Sequence, residues 1–130
     1  AGTLATTATQ MDLGAVTLTA ATTLDSGGGN IAIASLAGGA QNLTLAAGIA
    51  AGTTTVTGNV SNLGTGTGAA RTLNSAVTGL VDFQRTVGAN SGLDAGAATS
   101  LKFAGNVTLA DGNTGTSLAG SVSLDGLTFT

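Results

Sequence analysis

The chain has no cysteine, histidine, proline, tryptophan, tyrosine or glutamate, one methionine and three phenylalanines. Each absence removes chemistry. Without histidine or cysteine, Ser/His and Cys/His nucleophilic mechanisms are excluded for this chain. Disulfides and thiolate zinc sites go with them. Charge is scarce too: Asp, Lys and Arg together make up 7% of the residues, against roughly 25% in an average soluble domain. The basic groups are Arg71, Arg85 and Lys102 alone, too few to neutralise a run of phosphates, so no nucleic-acid partner is expected. No apolar run approaches the roughly 18 residues that cross a bilayer. The longest, around Leu45–Ala51, is interrupted by Gly48, and membrane insertion is not expected.

The shortage of aromatics also limits the core. Ordinary globular cores bury several large rings, each covering roughly 150–250 Å². Three Phe among Val, Leu, Ile and Ala underfill a thick core but suit a thin one, a single side chain deep between closely spaced strands. Disorder is the weaker reading. The mean hydropathy is +0.43 and the net charge only −3, whereas disordered chains combine low hydrophobicity with high charge. The 130 residues are read as one domain, either a piece of a longer repeat array or a fibre subunit. The start at Ala1-Gly2, without Met or a signal-peptide hydrophobic region, suggests a processed chain or an excised piece.

What the chain does contain is 22 Gly and abundant Thr, Ala, Ser and Asn. Short runs alternate apolar residues with Thr or Ser. Val16-Thr17-Leu18-Thr19, Asn42-Leu43-Thr44-Leu45, Ser100-Leu101-Lys102-Phe103 and Ser121-Val122-Ser123-Leu124 are examples. Alternation at period two is the signature of a half-buried strand. Gly recurs too often for a helix of ten or more residues. The six acids, Asp12, Asp25, Asp82, Asp94, Asp111 and Asp125, are all aspartates, a residue that favours turns over helix.

Later runs repeat. Val81, Phe83 and Val87 match Leu101, Phe103 and Val107 at an offset of 20, and Leu73 matches Leu93. Leu127 and Phe129 repeat the Leu101/Phe103 pair at an offset of 26, which predicts an enlarged loop within Ala110–Ser117. A period near 20 is one coil of a parallel β-helix, with equivalent residues stacked at the strand spacing of about 4.8 Å. The expected core ladder is therefore Val81, Phe83, Leu101, Phe103, Leu127 and Phe129. Asp82 and Lys102 would form an outer-face charge pair. In the first half Ile31, Leu43 and Val56 follow one another at little more than half that offset, which fits successive sides of one coil or a different N-terminal architecture. The fold expected is all-β: a right-handed parallel β-helix of about five or six coils. An antiparallel β-sandwich is the alternative.

Runs such as Gln41-Asn42-Leu43-Thr44-Leu45, Gly79-Leu80-Val81-Asp82-Phe83 and Phe103-Ala104-Gly105-Asn106-Val107 resemble the β-strand repeats of large secreted bacterial adhesins. The families concerned are the filamentous-haemagglutinin-like proteins and autotransporter passenger domains. The motifs are degenerate, although the likeness spans most of the chain. It implies a right-handed β-helix, export to the cell surface, and a role as scaffold or adhesive. It brings no catalytic residues and no cofactor.

Other uses of these residues compete with that reading. A glycosidase-type carboxylate pair needs two acids held roughly 5–10 Å apart in a cleft, yet most of the aspartates adjoin Gly or Ser, as turn residues do. Calcium is the better use for them. Asp25-Ser26-Gly27-Gly28-Gly29-Asn30 has a flavour of glycine-rich calcium repeats, but its Asp precedes the glycines and the motif does not recur. Pairs such as Thr17/Thr19, Thr53/Thr55/Thr57 and Thr128/Thr130 raise an ice-binding solenoid. Against it, the positions matched to Thr17 hold Ala32, Thr44, Asp82 and Lys102. The N-glycosylation sequons at Asn42, Asn59 and Asn106 are chance matches in a Thr-rich chain. A surface ligand would be met by loops such as Gly64–Arg71 or Ala110–Ser117. Open strand edges would meet adjoining repeats or further copies of the chain. The functional expectation is a shaft of an extracellular fibre or adhesin, without enzymatic activity.

Overall fold

The computed structural model of the chain describes residues 1–46, 52–65, 79–90, 92–95, 100–109, 116–118, 120–125, 127–128 and 130. These residues are all strand, turn and corner, and every strand pairing among them is parallel. The chain winds as a β-solenoid, laying each coil on the one before.

The first coil carries β1 (Gly2–Ala5) and β2 (Met11–Thr17). The second carries β3 (Thr22–Asp25) and the long β4 (Ile31–Gln41), and the third β5 (Leu43–Ala46), β6 (Thr54–Val56) and β7 (Val60–Leu63). Next come β8 (Leu80–Phe83) and β9 (Val87–Ala89), then β10 (Asp94–Ala95), β11 (Ser100–Phe103) and β12 (Val107–Leu109). The last described strands are β13 (Ser117–Leu118) and β14 (Ser121–Leu124).

One face is six strands deep, in the order β2, β4, β6, β8, β11, β14. Two inward columns run up it. Met11, Ile31, Thr54, Val81, Leu101 and Val122 form one, and Leu13, Ile33, Val56, Phe83, Phe103 and Leu124 the other. A second face stacks Val16, Leu36, Val60, Val87 and Val107. A third stacks Leu4, Leu24 and Leu45 on β1, β3 and β5. Period-two alternation is what allows this arrangement: every second side chain points into a core one layer thick. Ile31, Leu43 and Val56 are thus successive sides of the winding, since Leu43 lies on the third face and the other two on the first.

The coils are not of one length. Along the first face the offset is 20 from Met11 to Ile31, 23 on to Thr54 and 27 on to Val81. It returns to 20 at Leu101 and is 21 at Val122. Strand stacking fixes the columns, and the corners absorb the differences. In the second coil β4 runs without a break across two faces, whereas in the third the same path divides into β6 and β7 around Thr57-Gly58-Asn59. The register steps from 23 at Ile33↔Val56 to 24 at Leu36↔Val60. One added residue turns a bent strand into a corner.

The core contains one misfit. Thr54 is fully buried in a column of aliphatic residues, and its Oγ1 has no hydrogen-bond partner. A buried hydroxyl left unpaired costs about 1–3 kcal/mol. Thr54→Val keeps the branched shape and removes the oxygen, so it is expected to stabilise the fold by about 1–2 kcal/mol. A urea unfolding midpoint that rises at unchanged slope would show this; a fall would mean that the hydroxyl is satisfied in solution.

Candidate functional site

Val81, Phe83, Leu101 and Phe103 come together in the core. They pair in register as Val81↔Leu101 and Phe83↔Phe103, and all four are buried. The two rings stack with centroids 5.4 Å apart and planes 6° from parallel, because side chains at one register position of parallel strands project in the same direction.

Leu127 does not extend that ladder. The positions over Leu101 and Phe103 are Val122 and Leu124, a step of 21 and not 26. Thr128 O accepts from Val107 N, and Thr130 N donates to Val107 O, which puts this segment alongside β12 on the second face. Leu127 packs against the core from there, and Phe129 lies outside the described residues. Apolar–x–apolar occurs twice near the end of the sequence. The likeness of Leu-Thr-Phe to Leu-Lys-Phe points to the wrong one.

Asp82 and Lys102 are register partners, but their environments differ. Lys102 is exposed, while Asp82 is only 9% exposed. Asp82 Oδ2 accepts from Gln84 Nε2 at 3.1 Å, and Oδ1 has no hydrogen-bond partner. The carboxylate is thus met by Gln84, just past the end of β8, and not by a hydrogen bond from the lysine. Lys102→Ala is accordingly expected to change stability by less than about 0.5 kcal/mol. A thermal melt displaced by several degrees would restore the ion pair.

The Asp25 turn is occupied with its own backbone. Asp25 Oδ1 accepts from Gly27 N at 2.9 Å, and Ser26 Oγ donates to Gly29 O. The turn lies on the one at Thr6–Thr9, where Thr6 Oγ1 donates to Thr9 O. A Cβ at Gly27 would come within 2.6 Å of Thr6 O, and Gly27 has a φ of +59°, so glycine is needed here for stacking and conformation alike. Among the described residues no three or more acidic, Cys or His side chains converge. Asp111, the loop positions 66–71 and the loop positions 110–115 lie outside the described residues.

The threonine columns follow a different phase from the one expected. Thr17 pairs with Ala37, which pairs with Ser61. Ala32, Asp82 and Lys102 belong to the column of Asp12 instead. Thr44 belongs to a three-rung threonine ladder on the third face, Thr3–Thr23–Thr44. That ladder borders a shallow groove completed by Asn42 and Thr22. In the separate two-stranded sheet of β10 and β13 the paired residues are Asp94 and Ser117.

The sequence pattern puts Asn with Gly at the corners, but it does not show what the Asn side chains bond there. Asn30 Oδ1 accepts from Thr53 N at 2.8 Å, Asn42 Oδ1 from Thr65 N at 3.2 Å and Asn106 Oδ1 from Thr128 N at 3.3 Å. Asn59 Oδ1 accepts from the Thr86 hydroxyl at 3.0 Å. Each bond joins a corner to the coil above it. The signal is present, for Asn stands immediately before an apolar–x–apolar strand start in Asn30-Ile31, Asn42-Leu43 and Asn106-Val107. Asn42, Asn59 and Asn106 also match the sequon in the sequence. The side-chain carbonyl oxygens of Asn30, Asn42 and Asn106 stand in for a backbone carbonyl where the chain turns away from the ladder.

No family model, curated protein or solved structure matches the chain.

Proposed function

We propose that the chain is a shaft segment of a secreted bacterial surface fibre or adhesin, and that its work is mechanical. The observation that carries this reading is the core. Its apolar column from Leu13 to Leu124 runs through all six described strands of the first face. The flanks present mainly small Thr, Ser, Ala and Asn side chains. Load is shared by parallel ladders between coils and by the asparagine corners.

Six strands at about 4.8 Å give a stack of only about 25–30 Å. One such unit is a stub and not a rod, so a shaft needs the stack to continue. Immunogold labelling of producing cells with antibodies to the chain tests the reading. Labelled projections on the outer surface are expected; label confined to the cytoplasm overturns it.

A further inference from the structure

We propose that Asn59 and Asn106 are N-glycosylation sites, each carrying a sugar on its side-chain nitrogen. In the sequence alone Asn59-Val60-Ser61 and Asn106-Val107-Thr108 are acceptor triplets in a chain rich in such residues. The fold gives them a common position. Asn59 stands at the corner before β7 and Asn106 at the corner before β12. Val60 and Val107 belong to one inward column through Val87. The two asparagines therefore share one edge of the solenoid, two rungs or about 10 Å apart at the usual strand spacing. Thr86 lies between them: Val60 N donates to Thr86 O, and Val87 N donates to Asn106 O.

Exposure, alternation and hydrogen bonding each favour these amides as acceptors. Both asparagines are exposed, as are Ser61 and Thr108. Alternation turns Val60 and Val107 inward and leaves the hydroxyl residue after each facing outward, on the side of the asparagine. The amide oxygens are engaged and the nitrogens are not. Asn59 Oδ1 accepts from the Thr86 hydroxyl and Asn106 Oδ1 from Thr128 N, while among the described residues neither Nδ2 donates a hydrogen bond. A sugar on Nδ2 leaves the carbonyl oxygen in place, so the bond to the next coil survives the modification. A corner does not by itself demand this pattern. Asn30 fills one with Ala32 two places on, and Asn62 and Asn90 are followed at that distance by Gly64 and Gly92. Asn90 Nδ2 is already committed to Asn62 Oδ1 and Gly64 O. Asn42 has the triplet, but it and Thr44 are half-buried, and it is left out.

The step is a substitution at the anomeric carbon of a sugar activated as a phosphate ester. Nδ2 loses a proton and bonds to that carbon, and the phosphate leaves with the electron pair of the broken C–O bond. A glycosyltransferase of the producing cell brings the sugar phosphate. The products set bulky, hydrated groups along one edge of the stack.

Tryptic peptides of the chain isolated from its producing cells provide the test. Cleavage after Arg71, Arg85 and Lys102 gives 1–71 with Asn59, 103–130 with Asn106, and two peptides between, whose Asn74 and Asn90 lack the triplet. Peptides 1–71 and 103–130 are expected to exceed their sequence masses by at least one sugar residue, and the middle two to match theirs. Thr108→Ala keeps Asn106 and its corner bond, so it should strip the added mass from 103–130 with β circular dichroism unchanged. Thr108→Ser should restore it. Ser61→Ala should act in the same way on 1–71. An unmodified mass for either peptide overturns the proposal, and so does added mass that survives Thr108→Ala or Ser61→Ala. An unmodified chain displayed on the cell surface would leave the shaft reading intact. A glycosylated chain confined to the cytoplasm would sink that reading alone.

Discussion

Phe103→Asp is expected to leave the chain unfolded. Phe103 is fully buried, stacked on Phe83 and inside the column that runs from Leu13 to Leu124. Removing a buried phenylalanine side chain costs about 3–5 kcal/mol through lost transfer energy and the cavity left behind. The carboxylate adds the cost of a charge in a site walled by aliphatic and aromatic groups, where no described basic side chain reaches it. Native domains hold only about 5–15 kcal/mol in total, so the two terms together exceed what the fold can spare. Loss of the far-UV strand signal and of any cooperative melt is the expected readout. Two controls separate position from composition. Phe103→Leu keeps an apolar column residue and should remain folded at a cost of about 1–2 kcal/mol. Lys102→Asp, next in the chain but on the outward side, should also remain folded. A Phe103→Asp variant that melts cooperatively would mean that the inside and outside of β11 are reversed.

The columns of the second half are legible because two neighbouring coils have the same length. Val81 to Leu101 and Phe83 to Phe103 share a single offset, so simple comparison of offsets finds them. The first two coils also repeat at an offset of 20, but from the third coil on the first half defeats that comparison for a physical reason. Inward positions must superpose, whereas corners can lengthen at small entropic cost. The step from Thr54 to Val81 is longer than that from Ile31 to Thr54, and both exceed the repeat of the second half. A fixed period therefore fails where the strands themselves still stack.

The C-terminal error has a related source. Residue identity outweighs spacing in the comparison, so Leu127 and Phe129 displace Val122 and Leu124, although the observed step of 21 is close to the repeat. Inward and outward assignments are more secure, being local: alternation alone separates Leu101 and Phe103 from Lys102. Alternation does not show how deeply an outward residue is covered, and the burial of Asp82 is unforeseen for that reason. Nor does a single sequence show which Asn side chains take over backbone acceptor roles, since that depends on the coil above.

Gly105→Ala is expected to be the second most damaging of these changes, and it separates stacked corners from ordinary loops. Gly105 turns the chain between β11 and β12, directly over the Arg85-Thr86 peptide of the preceding coil. A Cβ there would lie 2.5 Å from Thr86 N and closer still to the Arg85 carbonyl carbon. Both are backbone atoms of a paired coil, so no flexible side-chain tip can move aside; the coils must separate locally and strain the bond from Val87 N to Asn106 O. A loss of about 1–3 kcal/mol follows from overpacking of this kind. Gly58, which turns the chain between β6 and β7, crowds the Ala34 carbonyl oxygen in the same way and should behave alike. Gly14, on the exposed first coil, provides the contrast because a Cβ there meets nothing within 4 Å. Gly14→Ala should be neutral or stabilising by up to about 1 kcal/mol, through the reduced freedom of the unfolded chain. The decisive measurement is the difference between these variants in urea. Equal effects at Gly14 and Gly105 would mean that the corners do not rest on one another, and the close stacking of the coils would have to be abandoned.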